Sequence, residues 1–151
     1  MVEMTLGRAL ELYQVREALE ALAARLAAPH ANEKTLERMA ETLESQEGVI
    51  QKGDLLGYSR SDFEFHSLIH KMSRNSVLQE MLESLKAKMQ PITMEVKPIL
   101  QRLYEDHLEI LETIRSKDPD KSERILRRHN RVVQNQIQME IERLGGKGKE
   151  A

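Results

Sequence analysis

The sequence contains no cysteine and no tryptophan, and only 3% of its residues are aromatic: Tyr13, Tyr58, Phe63, Phe65 and Tyr104. Without cysteine there can be no disulfides, thiolate zinc sites or cysteine nucleophiles. With so few rings, the core has to be aliphatic, and the eight methionines serve as adaptable filler. Four prolines and seven glycines in 151 residues leave few breaks in the chain. No apolar run approaches the roughly 20 residues that span a bilayer, and the N-terminus does not read as a signal peptide. Lysine plus arginine number 23 against 25 acids, a net charge of −2, so no global field attracts nucleic acid or an anionic membrane. The expectation is one soluble, cytoplasmic domain with a core that needs no staples.

What is present is helix after helix. The breaks predict helices over about Thr5–Ala28, Glu33–Gln51 (capped by Asn32), Ser59–Met72 and from Asn75 to about Met89. A short piece follows between Pro91 and Pro98, then helices over about Ile99–Ser116 and from Asp118-Pro119 to about Leu144. Residues 145–151 read as a flexible tail. No segment alternates like a strand, and no hairpin signal occurs. The fold class is therefore all-α, an antiparallel bundle of six to seven helices in residues 1–144.

Polar residues on the apolar stripes carry the functional information. Asp62 and His66 share one face at i and i+4 with Phe65, Ile69 and Met72. His107 interrupts Leu100, Leu103, Ile110 and Ile114; His129 interrupts Ile125, Leu126, Val132, Val133 and Ile137. Burying one such group without a partner costs roughly 1–3 kcal/mol, so four on three inward faces are expected to meet. Three imidazoles and a carboxylate suit one divalent transition metal: zinc, nickel or manganese, with zinc first. A lone core histidine would more simply be hydrogen-bonded to a neighbour. Acid should release such a metal, and metal-dependent stability should fade below about pH 6.

Arg16 also falls on a buried stripe, with Leu12, Leu19, Ala23 and Leu26. Two readings stand side by side: an ion pair with Glu20, or a guanidinium fork for an incoming carboxylate. His70 points away from the apolar arc and reads as an exposed histidine; His30 receives no role. Arg124, Arg127, Arg128 and Arg131 form a solvated basic face with no aromatics interleaved for base stacking.

These residues resemble a family. The opening Leu12-Tyr13-Gln14-Val15-Arg16-Glu17-Ala18-Leu19-Glu20, Asp62-Phe63-Glu64-Phe65-His66 with Ile69, Ser73 and Asn75, and Glu105-Asp106-His107-Leu108-Glu109-Ile110 are similar to the FCD ligand-binding domain. That domain is the all-helical C-terminal half of FadR-type GntR transcription regulators. His129 lies 22 residues after His107, as the family's last histidine does. The resemblance spans about Leu10 to Leu144. It implies that Asp62, His66, His107 and His129 bind a divalent metal, that a small carboxylate effector completes the coordination with Arg16 as its clamp, and that the protein works as a homodimer. Ile92, Met94 and Val96 are placed as cavity lining. The family's winged helix-turn-helix is not found here, so DNA binding is expected only of a longer parent protein.

Two other functions compete with the sensor. One is a metal-dependent hydrolase, but the sequence has no His-Glu-x-x-His, no Glu-x-x-His and no His-Asp pair. The other is a helical interaction module with structural histidines.

Overall fold

The computed structural model describes residues 5–89 and 93–150, with side chains described at 5–89 and 94–145. Among the described residues, seven α-helices form a bundle and there is no strand. They are α1 (Leu6–Ala27), α2 (Glu33–Gln51), α3 (Leu55–Met72), α4 (Ser76–Lys88), α5 (Thr93–Val96), α6 (Leu100–Arg115) and α7 (Pro119–Glu150). Short 3-10 turns, Ala28–His30 and Lys97–Ile99, follow α1 and α5. Thr5, Asn32 and Asn75 cap α1, α2 and α4 by accepting from backbone N–H groups three residues on. The most extensive packing joins α1 to α7, the two ends of the chain.

Two boundaries differ from the sequence reading. α3 begins at Leu55, four residues before the expected Ser59, because Asp54 caps it by accepting from Gly57 N at 2.9 Å. Gly53, at φ +70°, takes the left-handed conformation that ends α2, so three residues make the whole turn. Gly57 therefore lies inside the first turn of α3. A Cβ there would strike the Asp54 carboxylate and come within 2.9 Å of Val49 Cγ1. Gly57→Ala should lose the cap and press on Val49, together outweighing the helix propensity that alanine gains, and lower the urea midpoint; an unchanged midpoint would show that the losses only balance that gain. At the other end, α7 runs to Glu150, past the expected stop at Leu144. Gly145 and Gly146 weaken a helix by about 1 kcal/mol each relative to alanine but do not forbid it.

The core is arranged in three layers. One apolar cluster contains Ala24 and Ala27 of α1, Leu36, Met39 and Leu43 of α2, Phe65 and Ile69 of α3, Ile110 and Ile114 of α6 and Leu126 of α7. A second contains Ala9 and Tyr13 of α1, Tyr58 of α3, Leu100 and Leu103 of α6, and Val133 and Ile137 of α7, with Val49 and Ile50 of α2 against it. Five helices cross from one cluster to the other. At the crossing each carries buried or partly buried polar residues: Arg16 and Glu20, Gln46, Asp62 and His66, His107, and His129 and Asn130. The polar residues on the stripes thus form a single layer.

Candidate functional site

Helical spacing brings the polar layer together. Asp62 and His66 stand one turn apart on α3, and His107 and His129 arrive from α6 and α7. One ring nitrogen from each of His66, His107 and His129 lies within 4.8 Å of the others, and all three residues are buried. Asp62 Oδ1 stands 3.3 Å from His66 Nε2 and 3.2 Å from His107 Nε2. The fourth residue expected at the centre, Asp62, is 18% exposed and borders a cavity rather than filling the core.

Each imidazole is held from behind through Nδ1. His66 Nδ1 meets Glu20 Oε2 at 2.9 Å, His107 Nδ1 meets Gln46 Oε1 at 2.7 Å, and His129 Nδ1 meets Asp106 Oδ2 at 3.2 Å. The Gln46 amide is held at both ends. Its Nε2 donates to Ser61 Oγ at 3.0 Å, and that hydroxyl donates to Tyr58 O at 2.8 Å, so Oε1 is left to accept from His107. Nδ1 of His107 therefore carries the proton, and its Nε2 presents a lone pair to the centre. Outer hydrogen bonds of this kind fix the tautomer and aim of metal-binding histidines.

That lone pair has no hydrogen-bond partner. The 3.2 Å approach to Asp62 Oδ1 is short but lies outside hydrogen-bond geometry, and it sets two acceptors face to face. A cation between them would turn this repulsion into ligation. The three buried histidines could therefore hold a metal, and the donor set fits one.

The electrostatics of the layer are uneven. Burial favours neutral His66, but Glu20 and Asp62 on either side outweigh it and push its pKa up to about 9. Burial brings His107 down to about 4 and lowers His129 as well. Burial would raise Asp62, yet the charge on His66 beside it outweighs burial and holds its carboxyl well below the usual range. The protein without metal thus carries one imidazolium between two carboxylates and two neutral imidazoles beside it.

Above the histidines is a small cavity of about 40 Å³, partly open to solvent. Tyr13, Arg16, Tyr58, Ser59, Asp62 and Asn130 give it polar walls, and Phe63, Met89, Val96, Leu103 and Val133 give it apolar ones. Arg16 is 6% exposed and pairs through Nε with Glu20 Oε1 at 2.8 Å, while Nη1 donates to the Tyr13 hydroxyl at 3.4 Å. The ion pair expected from the sequence is present, and it leaves Arg16 on the cavity wall. Of the lining residues expected, Val96 faces the cavity. Met94 does not: it is 66% exposed, because α5 is a single turn that puts Val96 inward. Ile92 lies outside the described residues.

His70 is a second correction. It is not an exposed histidine: its Nε2 meets Glu20 Oε2 at 2.7 Å, and its side chain is 17% exposed. The buried Glu20 draws it inward, so that one carboxylate serves Arg16, His66, His70 and Asn130. On the basic face, Arg127 and Arg131 pair with Glu17, and Arg128 pairs with Glu109. Sequence reasoning did not assign Gln46, Asp106 or Asn130, nor the role of Glu20 behind His66.

The family model described as the FCD domain matches residues 11–132. Among curated proteins, the HTH-type transcriptional regulator LutR of Bacillus subtilis is 29% identical over 112 residues, covering 69% of this chain and 50% of LutR. The HTH-type transcriptional repressor NanR of Salmonella newport is 28% identical over 121 residues, covering 77% of this chain and 46% of NanR. The chain spans about half the length of these relatives. Among solved structures, E. coli McbR/YncC superposes with a TM-score of 0.78 at 20% identity, covering 91% of this chain and 71% of that one. Streptococcus agalactiae GntR does so with 0.70 at 24% identity, covering 89% and 62%. These two structures share the fold.

Proposed function

The chain belongs to the FCD domain family of GntR-type regulators, and from that premise we propose that it senses a small carboxylate metabolite through a bound divalent metal. Its relatives are transcriptional regulators, and its role is regulatory rather than catalytic. His66, His107 and His129, with Asp62 beside them, would hold the ion, zinc before nickel or manganese. When bound, the metal supplies a Lewis-acidic position open to an anionic ligand. Arg16, on the wall of the same cavity, would take the ligand's carboxylate as a charge-assisted partner. Glu20 holds both Arg16 and His66, tying the clamp to the metal centre.

The reading rests chiefly on the orphaned Nε2 of His107, which faces a carboxylate oxygen it cannot bond. A cation at the centre would give that lone pair a partner. In a longer regulator working as a homodimer, ligand binding would shift helix packing and alter how a winged helix-turn-helix meets DNA. No helix among the described residues is long and apolar enough to cross a membrane.

The test is a thermal-shift screen of small carboxylates on zinc-loaded and metal-stripped protein. At least one should raise the midpoint of the loaded form by several degrees and leave the stripped form unmoved. The same compound should change operator affinity of the full-length regulator. Shifts that ignore the metal, or operator affinity equal with and without ligand, would reject the reading.

A further inference from the structure

The cavity over the histidines is smaller than the ligand it would take. At about 40 Å³ it has room for about three water molecules. A carboxylate effector must therefore push a wall aside, and the walls are held unequally. Arg16 is bound to Glu20 and Tyr13, His66 to Glu20, and Asn130 to Leu126 O and Glu20. Phe63 is partly buried and has no polar group to anchor it. A second space of about 20 Å³ lies beside it between α3 and α4, bounded by Leu82, Leu85 and Lys86. Arg16, Phe63, His66 and Met89 line both spaces, so these side chains form the partition. Two cations stand near the Phe63 ring: Lys86 Nζ is 5.1 Å from its centroid and Arg16 Cζ 5.9 Å.

Within the partition, Arg16 and His66 are tied in place and Met89 closes the end of α4, whereas Phe63 contributes a ring that a side-chain rotation would remove. We infer that Phe63 is the door of the cavity: its ring turns toward α4, the two spaces become one, and anions reach the histidine layer through the α3–α4 mouth past Lys86. Cation–π contacts at exposed sites are weak enough to be broken and remade, and they favour the ring's return. Lys86, exposed at the mouth, offers an approaching anion a favourable potential. The purpose of the door rests on the carboxylate site proposed above; its existence does not.

Diethyl pyrocarbonate acylates neutral imidazoles and is larger than the cavity, so it reaches His129 on the cavity wall only when a wall moves. Treating metal-free protein and reading the peptides by mass spectrometry gives the labelling rate of His129 relative to His30, which lines neither space. Phe63→Ala should raise that ratio about tenfold, which is what the loss of two cation–π contacts is worth in a rate. Val96→Ala trims another wall of the same cavity and should leave the ratio nearly unchanged, which controls for general loosening. Lys86→Ala, at an exposed position, should raise the ratio by a smaller factor and decides the matter if Phe63→Ala does not fold. A ratio unmoved in the variants that fold overturns the door. So does an equal rise in Val96→Ala, or a His129 that labels as fast as His30 in the unsubstituted protein. None of these outcomes bears on the carboxylate reading, which the thermal-shift screen decides separately.

Discussion

The His107→Ala/His129→Ala double variant should purify without transition metal, whereas the unsubstituted protein should carry about one equivalent by elemental analysis. The two substitutions leave only Asp62 and His66 facing the centre, too few protein ligands for a stable zinc site. Metal present at a hundredfold excess over its Kd stabilises a folded protein by about 2.7 kcal/mol. For a domain of this size that is about 5–10 °C in the melting midpoint. Adding zinc should give that rise in the unsubstituted protein and none in the variant. The variant also loses stability of its own, since Gln46 Oε1 and Asp106 Oδ2 lose their donors. Comparing each protein with and without chelator cancels that loss. A full equivalent of metal in the double variant would place the ion elsewhere.

Metal affinity should fall about tenfold per pH unit below pH 9, or roughly a hundredfold from pH 8 to pH 6. Sequence reasoning alone expects release near pH 6, the range of an ordinary histidine. Glu20 and Asp62 move that threshold upward by holding a proton on His66 to about pH 9. Binding therefore releases about one proton near neutral pH, measurable as a calorimetric heat that depends on the buffer's ionisation enthalpy. Without metal, the dependence is different. The raised pKa of His66 contributes stability that is complete below pH 6.5 and lost as pH climbs through 9. His107 works in the other direction. Its folded pKa of about 4 lies below the unfolded value, so about 3 kcal/mol is lost as pH falls from 6.5 to 4. Metal-free protein should thus be most stable near pH 6.5, while the stabilisation conferred by zinc grows from pH 6 to 9. A zinc-induced midpoint shift that is flat across this range would refute the arrangement of His66 between its two carboxylates.

The three histidines were legible because each interrupts an apolar stripe, a signal that needs no knowledge of neighbouring helices. Gln46 carried the same signal, at the next stripe position after Leu36, Met39 and Leu43, and it could have been found that way. Asp106 could not: it sits beside His107 off the stripe, and only the approach of α7 makes it a partner of His129. His70 was misread for a related reason. Its position on the α3 wheel points outward, but α1 supplies Glu20 on that side, and a buried carboxylate repositions what its own helix would leave in water. Helix boundaries followed the caps closely where Asn32, Asn75 and Asp118 announced them. They differ at α3, which the sequence starts at Ser59 although Asp54 already caps a helix from Leu55.

The pairing of α1 with α7 also bears on how the molecule is made. Glu20 and Asn130 are 110 positions apart, as are Glu17 and Arg127, so contacts that complete the polar layer close almost the whole length of the domain. Loops that long form late and slow a helical protein that would otherwise fold quickly. On a ribosome, α1 to α6 would emerge with Arg16 and Glu20 still uncovered, waiting for the last helix. His129 arrives with that helix. The three-histidine cluster therefore cannot assemble until α7 has been made.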